Sequence, residues 1–381
     1  MMKTYLLTPG PTPIPESVNA VLSQPIIHHR TPGFRKIFQE VEAGLKSIFQ
    51  TEKDVLILTC SGTGAMTAAV ANLFNPGDQI ITINAGKFGE RWTQIAQAYG
   101  LRPVEIKIEN GKTLALPVLK QAIQAHPGAK AILFQASETS TGTQLPTQEI
   151  CTAARQASML SVCDAITALG VFDLPMDRWD IDVLITGSQK AFMIPPGLAM
   201  LALSDRAWEA VEKATLPRYY FDFRKERKAL LKSETAWTPA ISLVVALQES
   251  LRLMREEGLQ NVFKRHDRLA RATRAAVQAL GLELFSEAPS TAVTAVRVPG
   301  TIADGKLIPK TMRDTFGAVI AGGQDELEGK IFRLSHFGYC GDFDITTGIS
   351  ALELTLGKLG HPVRFGTGVG AALQILAEEN R

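Results

Sequence analysis

A single lysine, Lys190, stands between two apolar runs in the stretch Ile181–Met200, with Leu198–Leu203 resuming after a Pro-Pro-Gly turn. Both runs read as buried strands. Desolvation between such strands penalises an ammonium group, lowering its pKa and making it a better nucleophile and proton carrier. A lysine in isolation more often snorkels to solvent, so its partners decide its role. Asp164 ends another short apolar run, Leu160–Cys163. An isolated carboxylate there is costly unless a cation meets it, although an Asp in this setting serves equally well as a helix N-cap. Thr59-Cys-Ser-Gly-Thr-Gly-Ala-Met66 joins a strand candidate, Asp54–Leu58, to an Ala-rich helix reaching about Phe74. Free N–H groups at such a helix start favour an anion. Thr67 stands where the dinucleotide fingerprint has its third glycine. Arg333, in Phe-Arg-Leu-Ser, carries a planar fork suited to a carboxylate; alone, it reads as a strand-end surface arginine.

These residues need a scaffold that gathers strand ends. Strand patterns at Gln79–Ile83, Pro103–Ile108, Ala129–Gln135 and Leu160–Cys163 alternate with helical patterns, including Leu116–Ala125 and Pro146–Ser158. That alternation predicts right-handed crossovers and a mostly parallel sheet, which binds ligands beyond the carboxyl ends of its strands. Ser61–Ala65, Phe88, Thr139, Asp164 and Lys190 all follow strands, so they are expected on one edge. Upstream, four prolines in Thr8–Pro15 make an extended arm, followed by a helix from Phe34 to Phe49. Downstream come an aromatic patch from Arg218, a charged stretch Arg224–Lys232, and long helices from Thr238-Pro239 through Gly258 and on to Leu280. Beyond Leu282, strands (Thr291–Val298, Ile331–Ser335) mix with helices (Pro309–Thr315, Asp344–Leu359, Val369–Glu379). The expected fold is α/β: a large domain with a mostly parallel sheet sandwiched by helices, plus a smaller C-terminal α+β domain. Residues 1–20 form the arm, 21–258 the large domain and 259–381 the small one.

The chain of 381 residues is long enough for two domains, and 45% hydrophobic residues place it among globular proteins. Forty basic and 38 acidic residues, well mixed, give a net charge of +2 and no nucleic-acid or membrane surface. Pro9 and Pro11 come too early for a signal-peptide core, and no apolar run reaches membrane-spanning length. Cys60, Cys151, Cys163 and Cys340 are scattered without a Cys-x-x-Cys pair. That spacing argues against a metal site and fits reduced thiols in the cytoplasm.

Pyridoxal phosphate makes four demands on a protein, and each has a candidate here. It needs a lysine for a Schiff base, a carboxylate against the pyridine nitrogen, a cup for its phosphate, and an apolar face for its ring. The motifs Leu7-Thr-Pro-Gly-Pro-Thr, His29-Arg-Thr-Pro-Gly-Phe34, Ser61-Gly-Thr-Gly-Ala, Glu138-Thr-Ser-Thr-Gly142, Asp164 and Gly187-Ser-Gln-Lys190 occur in that order. Through them nearly the whole chain resembles the class V aminotransferases of pyridoxal phosphate fold type I, closest to the alanine– and serine–glyoxylate enzymes. The resemblance implies that Lys190 forms the Schiff base and Asp164 pairs with the ring nitrogen. It further implies that Thr63, Gly64, Ala65 and Gln189 cup the phosphate, that Thr238 reaches the phosphate of a neighbouring subunit, and that Thr139 bonds near the ring hydroxyl. Phe88 would stack on the ring where relatives often carry Trp, and Arg333 would hold the substrate's α-carboxylate. Gly10, without a side chain, would leave a narrow pocket. Thr235 stands where relatives often have a tyrosine.

The implied activity is transamination between a small amino acid (alanine or serine) and a small 2-oxo acid such as glyoxylate, in a homodimer with sites at its interface. Aspartate or phosphoserine specificity stays open, the latter because His29-Arg30 could meet a phosphate; the role of His28, His29 and Arg30 is not assigned. A cysteine desulfurase usually has His before the lysine, where Gln189 stands, and a reactive Cys ahead of the arginine, which is missing. Some chains of this type are labelled the small subunit of a soluble hydrogenase. Four scattered cysteines offer no thiolate set for that chemistry, so such a chain would be a partner subunit at most. A non-catalytic binding module is a further alternative, weakened by the joint presence of Lys190, Asp164 and Arg333.

Overall fold

The protein is described here by a computed structural model covering residues 3–378. Glu379, where the sequence pattern ends the last helix, lies outside the described residues. The seven-stranded sheet runs Val55–Leu58, Ala199–Leu203, Val183–Gly187, Leu160–Asp164, Ala131–Gln135, Gln79–Asn84, Arg102–Lys107 in spatial order. Six of the strands point the same way, and Ala199–Leu203 opposes both neighbours. The exception has a simple cause: the Lys190 loop returns the chain directly, with no crossover helix, and a direct return makes an antiparallel pair. Interior strands such as Ala131–Gln135 are buried on both faces, hence their near-continuous apolar sequences. Leu133 faces a layer with Met66, Phe74, Trp92 and Trp208, while Phe134 faces Phe34, Phe38, Phe49 and Phe192.

A second, antiparallel sheet orders Val293–Arg297, Ile331–Ser335 and Ala321–Gly322. It shares a core with the helices Leu259–Ala279, Leu307–Phe316, Asp342–Lys358 and Thr367–Glu378. The glycine-rich turn before the last helix wraps a carboxylate: Glu353 accepts from the N–H groups of Gly366 (2.6 Å), Gly368 (2.7 Å) and Val369 (3.1 Å). Arg224–Lys232, read from sequence only as a charged stretch, lies largely within the helix Phe223–Leu230. The arm begins as a strand, Tyr5–Leu6, paired in parallel with Ala318–Val319, and only then becomes irregular. That anchorage carries Gly10 onto Lys190.

Two fully buried histidines, His266 and His336, lie where the second sheet meets the first half of the chain. Gly338 donates its N–H to His266 Nε2 (3.1 Å), so the ring proton sits on Nδ1, facing the Val171 carbonyl at 3.3 Å. Burial, reinforced by Arg265, pushes His266 down to about 3. Between pH 6.5 and about 3 the unfolded chain therefore takes up a proton that the folded one refuses, and stability falls as pH falls. The cost is about 1.4 kcal/mol per pH unit for this histidine. Urea unfolding of wild type and His266→Gln from about pH 7.5 to 5 should show the variant losing less stability on acidification. Parallel curves would refute the assignment.

Candidate active site

One cavity of about 100 Å³ collects the ends of parallel-sheet strands. The turn after Val55–Leu58 contributes Ser61, Gly62 and Thr63 at the start of the helix Gly62–Leu73. Gln79–Asn84 leads to Phe88 and Arg91 on the helix Lys87–Ala98. Thr139 follows Ala131–Gln135, Asp164 ends Leu160–Asp164, and Gln189 and Lys190 follow Val183–Gly187. The expected convergence on one sheet edge is what the fold produces. A larger cleft, about 830 Å³, lies between Lys87, Lys107, Arg297 and Asp325, but its walls are open and of mixed charge. The chemistry-bearing groups face the smaller space.

Its electrostatics follow from burial. The Lys190 amine is lowered to about 8 by desolvation, with Asp164 opposing and Arg333 and Arg91 reinforcing the shift. Asp164 is raised to about 7, again chiefly by burial, despite an N–H from Ile166 at 2.9 Å. Lys190 Nζ donates to the Pro9 carbonyl, and Thr12 Oγ1 donates to the Lys190 carbonyl at 2.9 Å. Gly10 has φ +101°, and a Cβ there would lie 2.5 Å from Lys190 Nζ. The arm thus closes over the lysine, and only glycine fits.

Arg333 lies deep in the second sheet. Its Nη1 donates to the Thr139 carbonyl (2.9 Å), while Nε and Nη2 share the Gly322 carbonyl (3.0 and 2.7 Å). Gly64 and Ala65 sit within the first helical turn, where both N–H groups donate to the Ser61 carbonyl. Thr238 is outside this cavity, beside Thr59, Tyr220 and Trp237. His29 and Arg30 do not line it either; Arg30 pairs with Glu234, which also binds Arg35 at 2.6 Å. Sequence reasoning passed over Arg91, which donates to Thr63 Oγ1 (3.0 Å) with its guanidinium 4.6 Å from the centre of the Phe88 ring. Its i,i+3 spacing from Phe88 is the signal that could have found it. Thr167, which accepts from Thr139 Oγ1 at 2.8 Å, had no such signal.

A doubly layered α/β fold with a buried amine and a buried carboxylate at one sheet edge defines a class of lysine-dependent cofactor enzymes. The Aminotransferase class-V family matches residues 4–325, and the chain belongs to that family. It is 44% identical to a soluble hydrogenase 42 kDa subunit of Anabaena cylindrica, over 98% of this chain and 99% of that protein. It is 34% identical to an L-aspartate–glyoxylate aminotransferase of Paracoccus denitrificans, over 96% and 94%. Among solved structures, the ureidoglycine–glyoxylate aminotransferase of Bacillus subtilis superposes with a TM-score of 0.94 at 28% identity, covering 99% of both chains. The fold is therefore fold type I, the chain is an aminotransferase, and its cofactor is pyridoxal phosphate.

The residues present fit that group. Lys190 and Asp164 offer an amine and a carboxylate, Phe88 an aromatic face, and Ser61–Thr63 a helix start beside Gln189. Gln189 Oε1 is buried with no hydrogen-bond partner among the described residues, an orphaned acceptor that a donor group of a ligand in the cavity would satisfy. Among the described residues, no helix is long and apolar enough to cross a membrane.

Proposed function

We propose that this protein moves an amino group from a small amino acid, alanine or serine, to a small 2-oxo acid such as glyoxylate. The observation that carries the reading is Gly10 seated on Lys190, which leaves little room above the amine. When bound, pyridoxal phosphate supplies a protonated ring that takes up the electron pair released at the substrate's α-carbon. Lys190, lowered to about 8 by burial, is suited to taking the substrate's α-proton as an amine and giving a proton back as an ammonium. Asp164 would keep a proton on the ring nitrogen, and Phe88 would cover one ring face. Thr63, Gly64, Ala65 and Gln189 would surround the phosphate, and Thr139 would bond near the ring hydroxyl. Arg333 has two further N–H groups for the substrate's α-carboxylate beyond those already engaged. Lys190, Asp164, Thr139 and Arg333 are buried, which keeps water from the reacting groups, while Thr63, Gly64, Phe88 and Gln189 are half-buried.

Glyoxylate as acceptor is supported by the names of the Paracoccus and Bacillus relatives, which share it while differing in donor. Aspartate is the second reading for the donor, favoured by the Paracoccus name. Mixing the purified holoenzyme with alanine, serine, aspartate or phosphoserine in single turnovers decides between them. Alanine or serine should bleach the cofactor's visible band at least about tenfold faster, a gap one or two contacts can supply. Faster bleaching by aspartate or phosphoserine overturns the donor assignment, and recovery with glyoxylate against pyruvate ranks the acceptors.

We read the active unit as a homodimer, with Thr238 of each subunit turned to the other's phosphate. Its position outside its own cavity and the exposed Tyr219 and Tyr220 beside Trp237 support that reading. The four free thiols fit a cytoplasmic location, and residues 1–20, 21–258 and 259–381 serve as arm, large and small domain. The hydrogenase label belongs to the Anabaena relative; stoichiometric nickel or iron in the purified protein would be needed to extend it here.

A further inference from the structure

We propose that Glu138 is a positioning residue, which fixes the aromatic face of Phe88 relative to Thr139; this rests on the cofactor assignment above. Glu138 is fully buried within a ring of N–H and O–H donors. Gly89 N (2.9 Å), Phe88 N (3.2 Å) and Gln135 Nε2 (3.1 Å) point at Oε2, while Ser140 N (3.0 Å) and Ser140 Oγ (2.5 Å) point at Oε1. The Lys87 N–H in turn donates to Ser140 Oγ at 3.0 Å. Together these two side chains take up the first three N–H groups of the helix Lys87–Ala98, the groups a helix leaves without internal partners.

A local N-cap satisfies only one of these donors, with one short side chain and without burying a carboxyl group. Here the capping position is Gly86, at φ +152°, where a Cβ would lie 2.4 Å from Ser140 Oγ and 2.8 Å from Glu138 Cδ. The cap comes instead from 49 to 53 residues further along the chain. The difference is geometric. A local cap fastens a helix only to its own first turn, whereas this one fastens the helix bearing Phe88 and Arg91 to the loop bearing Thr139. Two walls of the cavity are thereby tied to one carboxylate. Burial pushes the Glu138 carboxyl up, and the donors of Ser140, Gly89 and Phe88 at the positive end of the helix dipole oppose that rise.

The test uses the purified protein, stripped of cofactor and titrated with pyridoxal phosphate. Its readouts are the dissociation constant and the visible circular dichroism of the bound ring, which reports ring tilt. Glu138→Gln turns an acceptor oxygen into an NH2 facing backbone donors, and should weaken binding about tenfold or more and alter the visible dichroism. Phe88→Ala should weaken binding too, and the double variant should bind no worse than Phe88→Ala alone to within about twofold. Should Glu138→Gln not fold, Ser140→Ala goes through the same cycle, with a loss of about threefold or more expected. Wild-type affinity and dichroism in the folded variant overturn the proposal, as do losses that multiply in the double variant. Wild-type protein that takes up no pyridoxal phosphate overturns the cofactor assignment as well, which separates the two failures.

Discussion

Alanine in place of Lys190 should remove the visible band of the bound cofactor and lower kcat/KM by at least about 10³-fold, the scale of losing both a nucleophile and a general base. The size of the effect follows from where the amine sits. It is almost wholly buried, held under the Pro9 carbonyl by the arm, and already shifted to about 8. Among the described residues no other lysine lines the cavity, so nothing nearby can replace it. The turn at Ser61–Thr63, proposed above to lie against the phosphate, is untouched by the substitution. Lys190→Ala should therefore still take up pyridoxal phosphate, as equilibrium dialysis would show, while its absorbance reverts to that of the free aldehyde. Turnover within about tenfold of wild type would remove Lys190 from the chemistry.

The substitution Asp164→Asn gives the second large effect. Burial pushes the Asp164 carboxyl up to about 7, so the protein's own groups support its charge poorly. In the proposed arrangement Asp164 would meet a protonated ring nitrogen, a cation that would hold the carboxylate ionised. A neutral amide could not return that support, so a ring nitrogen held there would lose its proton and the electron sink would weaken. A fall of about 10²-fold or more in kcat is expected, with little change in KM, because the interaction matters most as charge develops on the ring. Steady-state kinetics on Asp164→Asn measure this directly. A kcat within about threefold of wild type would mean that Asp164 supports something other than the ring.

Several of the structural relations behind these effects could be read before any fold was known. Continuous apolar runs marked the interior strands because a strand buried on both faces has no polar side to show. The glycine turn after Leu58 and the Pro-Pro-Gly turn after Lys190 marked strand ends, so the convergence of Thr63, Phe88, Thr139, Asp164 and Lys190 followed from the rule for parallel sheets. Most other helices and the two longer strands of the second sheet were legible from their own periodicity, but the helices Glu16–Leu22, which starts in the stretch read as an arm, and Asp205–Lys213 went unread. The reversed strand Ala199–Leu203 was not, since its apolar pattern is the same in either direction.

What the sequence determined alone is therefore local and periodic: which residues are buried, where strands stop, and which side chains stand at those ends. Only the tertiary structure decided how those ends are held. The Pro9 carbonyl meets Lys190 across 181 positions, and Arg333 meets the Thr139 carbonyl across 194. Glu138 is an ordinary motif residue until the helix at Lys87 folds against it. Periodicity carries no information about such pairs, because their energies arise only when distant backbone groups lose water together and must find each other.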